Sequence, residues 1–150
     1  MADNNTLLIR KVGSSDRRDT MTDFGVVVLS APMLLPTEVK DVGSRDWVDE
    51  HGLDVYNAST SYFKDFDVDF QLGIKGDAQT CHNKFKAFVN YLTTNGVLHD
   101  LYCPWVQGGR TGVRYKSSSD FNFERSSQGI WMTFKAKFNV SDPVTEVNEF

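Results

Sequence analysis

The chain has 150 residues, a net charge of -4 and a pI near 5.3. That length suits one packed domain and is short for two, and a hydrophobic content of 40% with 11 Phe argues for a real core. The acidic balance excludes the global basic field that drives nucleic-acid binding. No apolar run approaches the roughly 20 residues needed to span a bilayer. The N-terminus carries only the short apolar run Leu7, Leu8, Ile9, too short for a signal peptide, so the chain reads as made in a cytoplasm.

Residues 1–22 are polar and charged around that run, and read as an arm that is loose alone and orders against a partner. Asp23 to Ser30 is short, apolar and β-branched, the first expected core strand. Pro32 and Pro36 bracket Met33, Leu34 and Leu35, which marks an edge or loop because Pro lacks a backbone donor. Thr37 to Val42 can form a short strand. Residues 43–61 are rich in turn formers, with Trp47, Val48, Leu53, Val55 and Tyr56 scattered through them; a long segment with so little period reads as a contact-making loop.

The centre of the chain is clearer. Phe66, Val68, Phe70, Leu72 and Ile74 alternate with polar residues, which predicts a strand with one buried face. Ala78, Cys81, Phe85, Phe88, Val89 and Leu92 then fall on one helical stripe. Asp77 is the expected N-cap and Gly96 the expected left-handed C-cap, so a helix is predicted over about residues 77–95. Val97 to Cys103 is the next strand, and Gln107-Gly108-Gly109 signals a turn. Val113 to Lys116 and Phe121 to Arg125 are expected as separate strands around a polar turn, Ser117 to Asp120. Ile130 to Val140 alternates again, with Phe134 and Phe138 on one face and Lys135, Lys137 and Asn139 on the other. Pro143 ends the sheet. The prediction is a mostly β (α+β) fold: an antiparallel β-sandwich or barrel with one flanking helix, in one domain over 23–143, with an arm at 1–22 and a tail at 144–150.

Few residues point to chemistry. Asp65, Asp67 and Asp69 line one face of a strand. Carboxylates at that spacing can share a divalent cation, but a solvated face, or pairing with Lys135 and Lys137 across strands, is the plainer reading. His51, His82 and His99 make no metal spacing, and Cys81 and Cys103 lack the electropositive setting of a nucleophile; both read as free thiols. Gly108 to Gly112 lacks the Lys-Ser/Thr ending and the following helix of a phosphate loop. Arg110, Arg114 and Lys116 form a local basic cluster at an expected hairpin tip, suited to a phosphate backbone or an acidic partner subunit. No metal or cofactor is implied, and no enzyme.

The order of elements resembles the N-terminal domain of siphophage distal tail proteins and the related tail-tube and baseplate-hub folds. The stretches that carry the resemblance are DFGVVVLS, DEHGLDVYN leading into SYFKDFDVDFQLGIKG, DAQTCHNKFKAFVNYLTTNG, VLHDLYCP and GIWMTFKAKFNVSDP. They cover about residues 23–143. The loop before the long strand is longer and less regular here, and the family's second, carbohydrate-binding-like domain has no counterpart in these residues. The resemblance implies a tail-tube-like, non-enzymatic subunit of a virion tail, assembled in the host bacterial cytoplasm. It implies a self-associating ring, commonly a hexamer, that contacts other tail proteins, takes DNA only as passing cargo and does not engage a membrane. The candidates for the subunit interface or the channel are Asp65, Asp67, Asp69, Lys135, Lys137, Arg110, Arg114, Trp47 and Tyr56. The competing reading is a stand-alone β-sandwich that binds carbohydrate or peptide through Trp47, Tyr56, Trp105 and Trp131.

Overall fold

The computed structural model describes residues 5–40, 44–45, 48, 51, 54–55, 62–127 and 129–150. One antiparallel sheet dominates. Its strands are β1 (Leu8–Lys11), β2 (Arg18–Asp19), β3 (Val26–Ser30), β6 (Phe66–Lys75), β7 (His99–Cys103), β8 (Gly108–Ser126) and β9 (Gly129–Val140). They lie in the order β2-β1-β7-β8-β9-β6-β3. A separate pair, β4 (Ser44–Arg45) and β5 (Asp54–Val55), is antiparallel. The described residues also form the helices α1 (Thr20–Phe24) and α2 (Ala78–Thr93).

The two alternating strands behave as their period demands. β6 and β9 pair from Phe66↔Val140 to Lys75↔Trp131. Val68, Phe70, Leu72 and Ile74 are buried on one strand, and Met132, Phe134, Ala136 and Phe138 on the other. Phe70 meets Phe138 edge-on with ring centres 5.7 Å apart. Onto this face α2 lays Cys81, Phe88 and Leu92. Asp77 caps α2, its side chain accepting from the Thr80 amide at 2.8 Å. The helix ends one turn before the expected glycine: Thr94 is the extended C-cap, and Asn95 and Gly96 follow with φ of 59° and 119°.

The sheet curls until its ends touch. The Val28 amide on the β3 edge donates to the Asn5 carbonyl, just ahead of β1, at 2.8 Å. That contact corrects the expectation of a loose arm. Leu7, Leu8 and Ile9 are buried, and β1 pairs with β7 from Leu8↔Tyr102 to Lys11↔His99. Three apolar residues are enough for a strand when a neighbouring strand supplies the ladder. The C-terminal residues are tied down as well. Glu146 bridges Arg110, and the Val147 amide donates to the Gly109 carbonyl at 3.2 Å. Only glycine permits this crossing, since a Cβ on residue 109 would lie 2.3 Å from the Val147 carbonyl oxygen.

Two further expectations give way. The first core strand begins at Val26, because Asp19 caps a short helix over Thr20–Phe24 that Gly25 closes at φ 67°. The polar turn expected at Ser117 to Asp120 is strand: β8 runs through it with register shifts between Tyr115 and Ser117 and between Ser119 and Asn122. Each shift inserts an extra residue, which breaks the period-two signal while preserving the ladder. Of the strand expected at Thr37 to Val42, the described part is a single bridge, Val39↔Phe63.

Candidate functional site

The outer face of β6, β9 and β8 gathers most of the candidate residues. Register sets the pairs: Asp67 opposes Asn139, Asp69 opposes Lys137, and Gln71 opposes Lys135. On the far side of β9, Arg114 opposes Asn139, Ser117 opposes Lys137 and Ser119 opposes Lys135. Strand period and register together therefore place acids on one strand and bases on the next two.

The pairs are made. The Asn139 amide donates to Asp65 Oδ2 and to Asp67 Oδ1, both at 2.9 Å. Lys116 Nζ donates to the other oxygen of Asp67 at 3.0 Å. Lys135 Nζ lies 3.5 Å from Asp120 Oδ2. The Asn139 hydrogen bond, joined by Lys116 and by the charge of Lys137, holds the Asp67 carboxyl below its ordinary value. Asn139 is buried while the two carboxylates it holds are exposed, so it anchors them from beneath. Asp65 and Asp67 thus belong to a cross-strand polar network, and Asp69 stands opposite Lys137 in the register. Among the described residues no group of three or more His, Cys, Asp or Glu is placed to hold a metal ion.

Arg110 is not part of this face. The residue is 2% exposed; Nε donates to the Leu34 carbonyl at 2.7 Å and Nη1 to the Thr145 carbonyl at 3.2 Å. The basic cluster read from the sequence therefore splits: Arg110 ties a loop and the C-terminal segment together inside the subunit, while Arg114 and Lys116 are exposed. Trp47 and Tyr56 lie outside the described residues. Trp105 precedes β8 and Trp131 opposes Glu124 near the other end of it, so these two aromatics do not share a binding surface. Sequence reasoning missed Asn139 as the acid clamp. Its parity on β9 was visible, but its partners required the register. It also missed that Phe121 and Phe123 face α2, where Phe121 stacks on Phe134 at 5.7 Å and meets Phe85 at 5.4 Å.

The sheet around this face has open edges. β7 pairs with β8 only as far as Val113. From Arg114 onward, the side of β8 away from β9 has no strand beside it among the described residues. β3 covers β6 from Gln71 to Ile74, and among the described residues no strand lies beside Phe66 to Phe70 on that side. No helix among the described residues is long and apolar enough to cross a membrane.

No protein-family model matches the chain, and no curated protein does. Solved structures do. The crystal structure of SPP1 Dit (gp 19.1), described as a paradigm of the hub adsorption apparatus in phages infecting Gram-positive bacteria, is similar with a TM-score of 0.62 at 13% identity, over 91% of this chain and 50% of that one. The phage P2 baseplate in its activated conformation with Ca is similar with a TM-score of 0.57 at 13% identity, over 90% of this chain and 43% of that one. The chain spans about half the length of the proteins it matches. The mostly β fold resembles that of a phage distal-tail or hub domain.

Proposed function

We propose that this chain is a structural, non-enzymatic subunit of a bacteriophage tail, at the distal-tail or hub level. It closes into a ring, commonly a hexamer, around a channel for DNA. It would be a virion component assembled in the bacterial cytoplasm, and its partners would be itself and other tail proteins.

The observation that supports the ring is the pair of unlike open edges. One is the edge of β8 from Arg114 to Arg125, and the other is the edge of β6 from Phe66 to Phe70. They lie on opposite sides of β9. Head-to-tail contacts join two different surfaces and close into a ring when the rotation allows. An open edge left bare is a hazard for aggregation, and a neighbouring subunit would cover it. Charges of opposite sign also flank the two edges, with Arg114 at one and Asp69 at the other. Trp47 and Tyr56 remain candidates for contacts to neighbours.

The test combines mass and hydrogen exchange. Mass photometry across a concentration series should show a discrete ring species. Amides from Arg114 to Arg125 that exchange quickly in the monomer should be protected in the ring. A chain that stays monomeric at every concentration, or a ring in which these amides still exchange quickly, would remove this mode of assembly.

A further inference from the structure

Away from the charged face, a cavity of about 280 Å³ lies between the loop after β3, the start of β8 and the C-terminal segment. Met33, Leu35, Tyr102 and Val106 wall it, with Arg110 on its inner side and Glu146 at its edge. Met33, Leu35 and Val106 are exposed large hydrophobic residues. Arg110 is buried, and the carbonyls of Leu34 and Thr145 accept from Nε and Nη1. Among the described residues, the carboxylate within ion-pair range of Nη2 is that of Glu146, at 3.9 Å, and the Glu146 side chain is 74% exposed. The charge of Arg110 also reaches Asp142, whose carboxyl is held below its ordinary value mainly by the Thr145 and Val144 amides.

Carbonyl oxygens are neutral, so they satisfy the hydrogens of a guanidinium without cancelling its charge. A separation of 3.9 Å lies beyond hydrogen-bond reach, and an ion pair with one member in water contributes little. A buried guanidinium is stabilised most by a carboxylate bonded directly to its fork. We infer that this cavity is a carboxylate-binding site, which takes one carboxylate carried on a short aliphatic stem. The carboxylate meets Arg110 Nη2, and the stem covers Met33, Leu35 and Val106. The cavity is just smaller than the roughly 300–1,000 Å³ of pockets for drug-sized ligands. It therefore suits a short free acid or one glutamate side chain of a neighbouring chain, which share this chemistry. Such a ligand needs an apolar wall and a counter-charge side by side, and the cavity offers both. Glu146 competes weakly from the edge, because its backbone bridges to Arg110 while its side chain stays in water. The site stands whether or not the chain closes into a ring.

The test is an NMR titration of the full chain, followed at the Arg110 Nε–Hε signal and at the amides of Gly108 to Arg110. Two probes separate the sources: free isocaproate, and the capped peptide acetyl-Leu-Glu-Leu-amide. At least one should give saturable shifts centred on this cavity, and the tighter of the two names the source. The uncharged counterparts, isocaproamide and the same peptide with Gln for Glu, should bind at least about ten-fold more weakly, as expected when a charge-assisted hydrogen bond is lost. Glu146→Gln removes the competing carboxylate and should tighten binding of the acid about two- to five-fold. Met33→Asp puts a negative charge at the exposed wall and should abolish binding while the circular dichroism stays that of the parent. Arg110 itself is left in place, since its loss would strand the Leu34 and Thr145 carbonyls. The absence of saturable shifts with both probes, in the parent and in Glu146→Gln, would overturn the inference. Equal binding of acid and amide would overturn it too, because the cation would then play no part. If Met33→Asp misfolds, the comparison of acid with amide and the Glu146→Gln variant still decide the matter.

Discussion

The two halves of β8 are one strand with two characters. From Gly108 to Val113 it lies between β7 on one side and the C-terminal segment and the end of β9 on the other. Here Gly109 is crossed by backbone, Arg110 is buried and Val113 is in the core. From Arg114 to Ser126 only β9 pairs with it among the described residues; the strand bulges twice and its exposed residues are mostly charged or polar, with Phe121 and Phe123 turned to the helix. The same backbone conformation thus serves a closed, inward role and an open, outward one. The number of flanking strands decides which. A half with both sides paired has no free backbone groups and can bury a guanidinium among carbonyls. A half with one side bare stays polar until something adds to it.

The sharpest way to break this comparison is to remove what anchors the open half. Phe134 on β9 is fully buried under Phe121 and Phe85. Phe134→Ala should cost about 3–5 kcal/mol, read as a large drop in thermal midpoint. An unchanged midpoint would mean that the inner face of β9 has been assigned the wrong phase.

Next come two arginines four residues apart. Arg110→Leu strands the carbonyls of Leu34 and Thr145 that its guanidinium satisfies. Each should cost about 1–3 kcal/mol, and limited proteolysis should clip residues 144–150 sooner. Arg114→Leu, on the open half, should change stability by no more than about 0.5 kcal/mol. Equal losses in the two variants would erase the distinction between the halves.

The smallest effect sits at the junction, where His99 opposes Val113. His99 is buried, and its Nε2 lies 3.3 Å from Lys11 Nζ while Nδ1 faces the Val97 carbonyl at 3.1 Å. Burial, and then the Lys11 charge, pushes the imidazole below its ordinary value near 6.5. The folded state therefore favours neutral His99. This contribution is complete above pH 6.5 and is lost as the pH falls from there toward the lowered folded value. Chemical denaturation from pH 7.5 down to pH 5 should show a loss of stability that His99→Gln reduces. Superimposable pH profiles for parent and variant would contradict the neutral state of His99.

Much of this architecture is legible in the sequence. β6 and β9 alternate cleanly, so their inner faces followed from the period of a strand. α2 followed from its stripe and from Asp77, because an N-cap and a 3.6-residue period are local properties. The failures were non-local. β1 looked too short to be structural because its partner, β7, lies about ninety residues away in sequence. The middle of β8 looked like a turn because bulges scramble alternation.

The candidate face divides in the same way. Which residues point outward on β6 and β9 was a matter of parity, and the sequence determined it. Whether Asp67 meets a lysine, an amide or open water was a matter of register between strands some seventy residues apart, together with a bulge in a third. Arg110 and Arg114 have the same side chain and lie four residues apart on one strand. Only the tertiary structure decided that one would be enclosed by Leu34 and Thr145 and the other left at an open edge, because burial depends on which distant segments cross a residue.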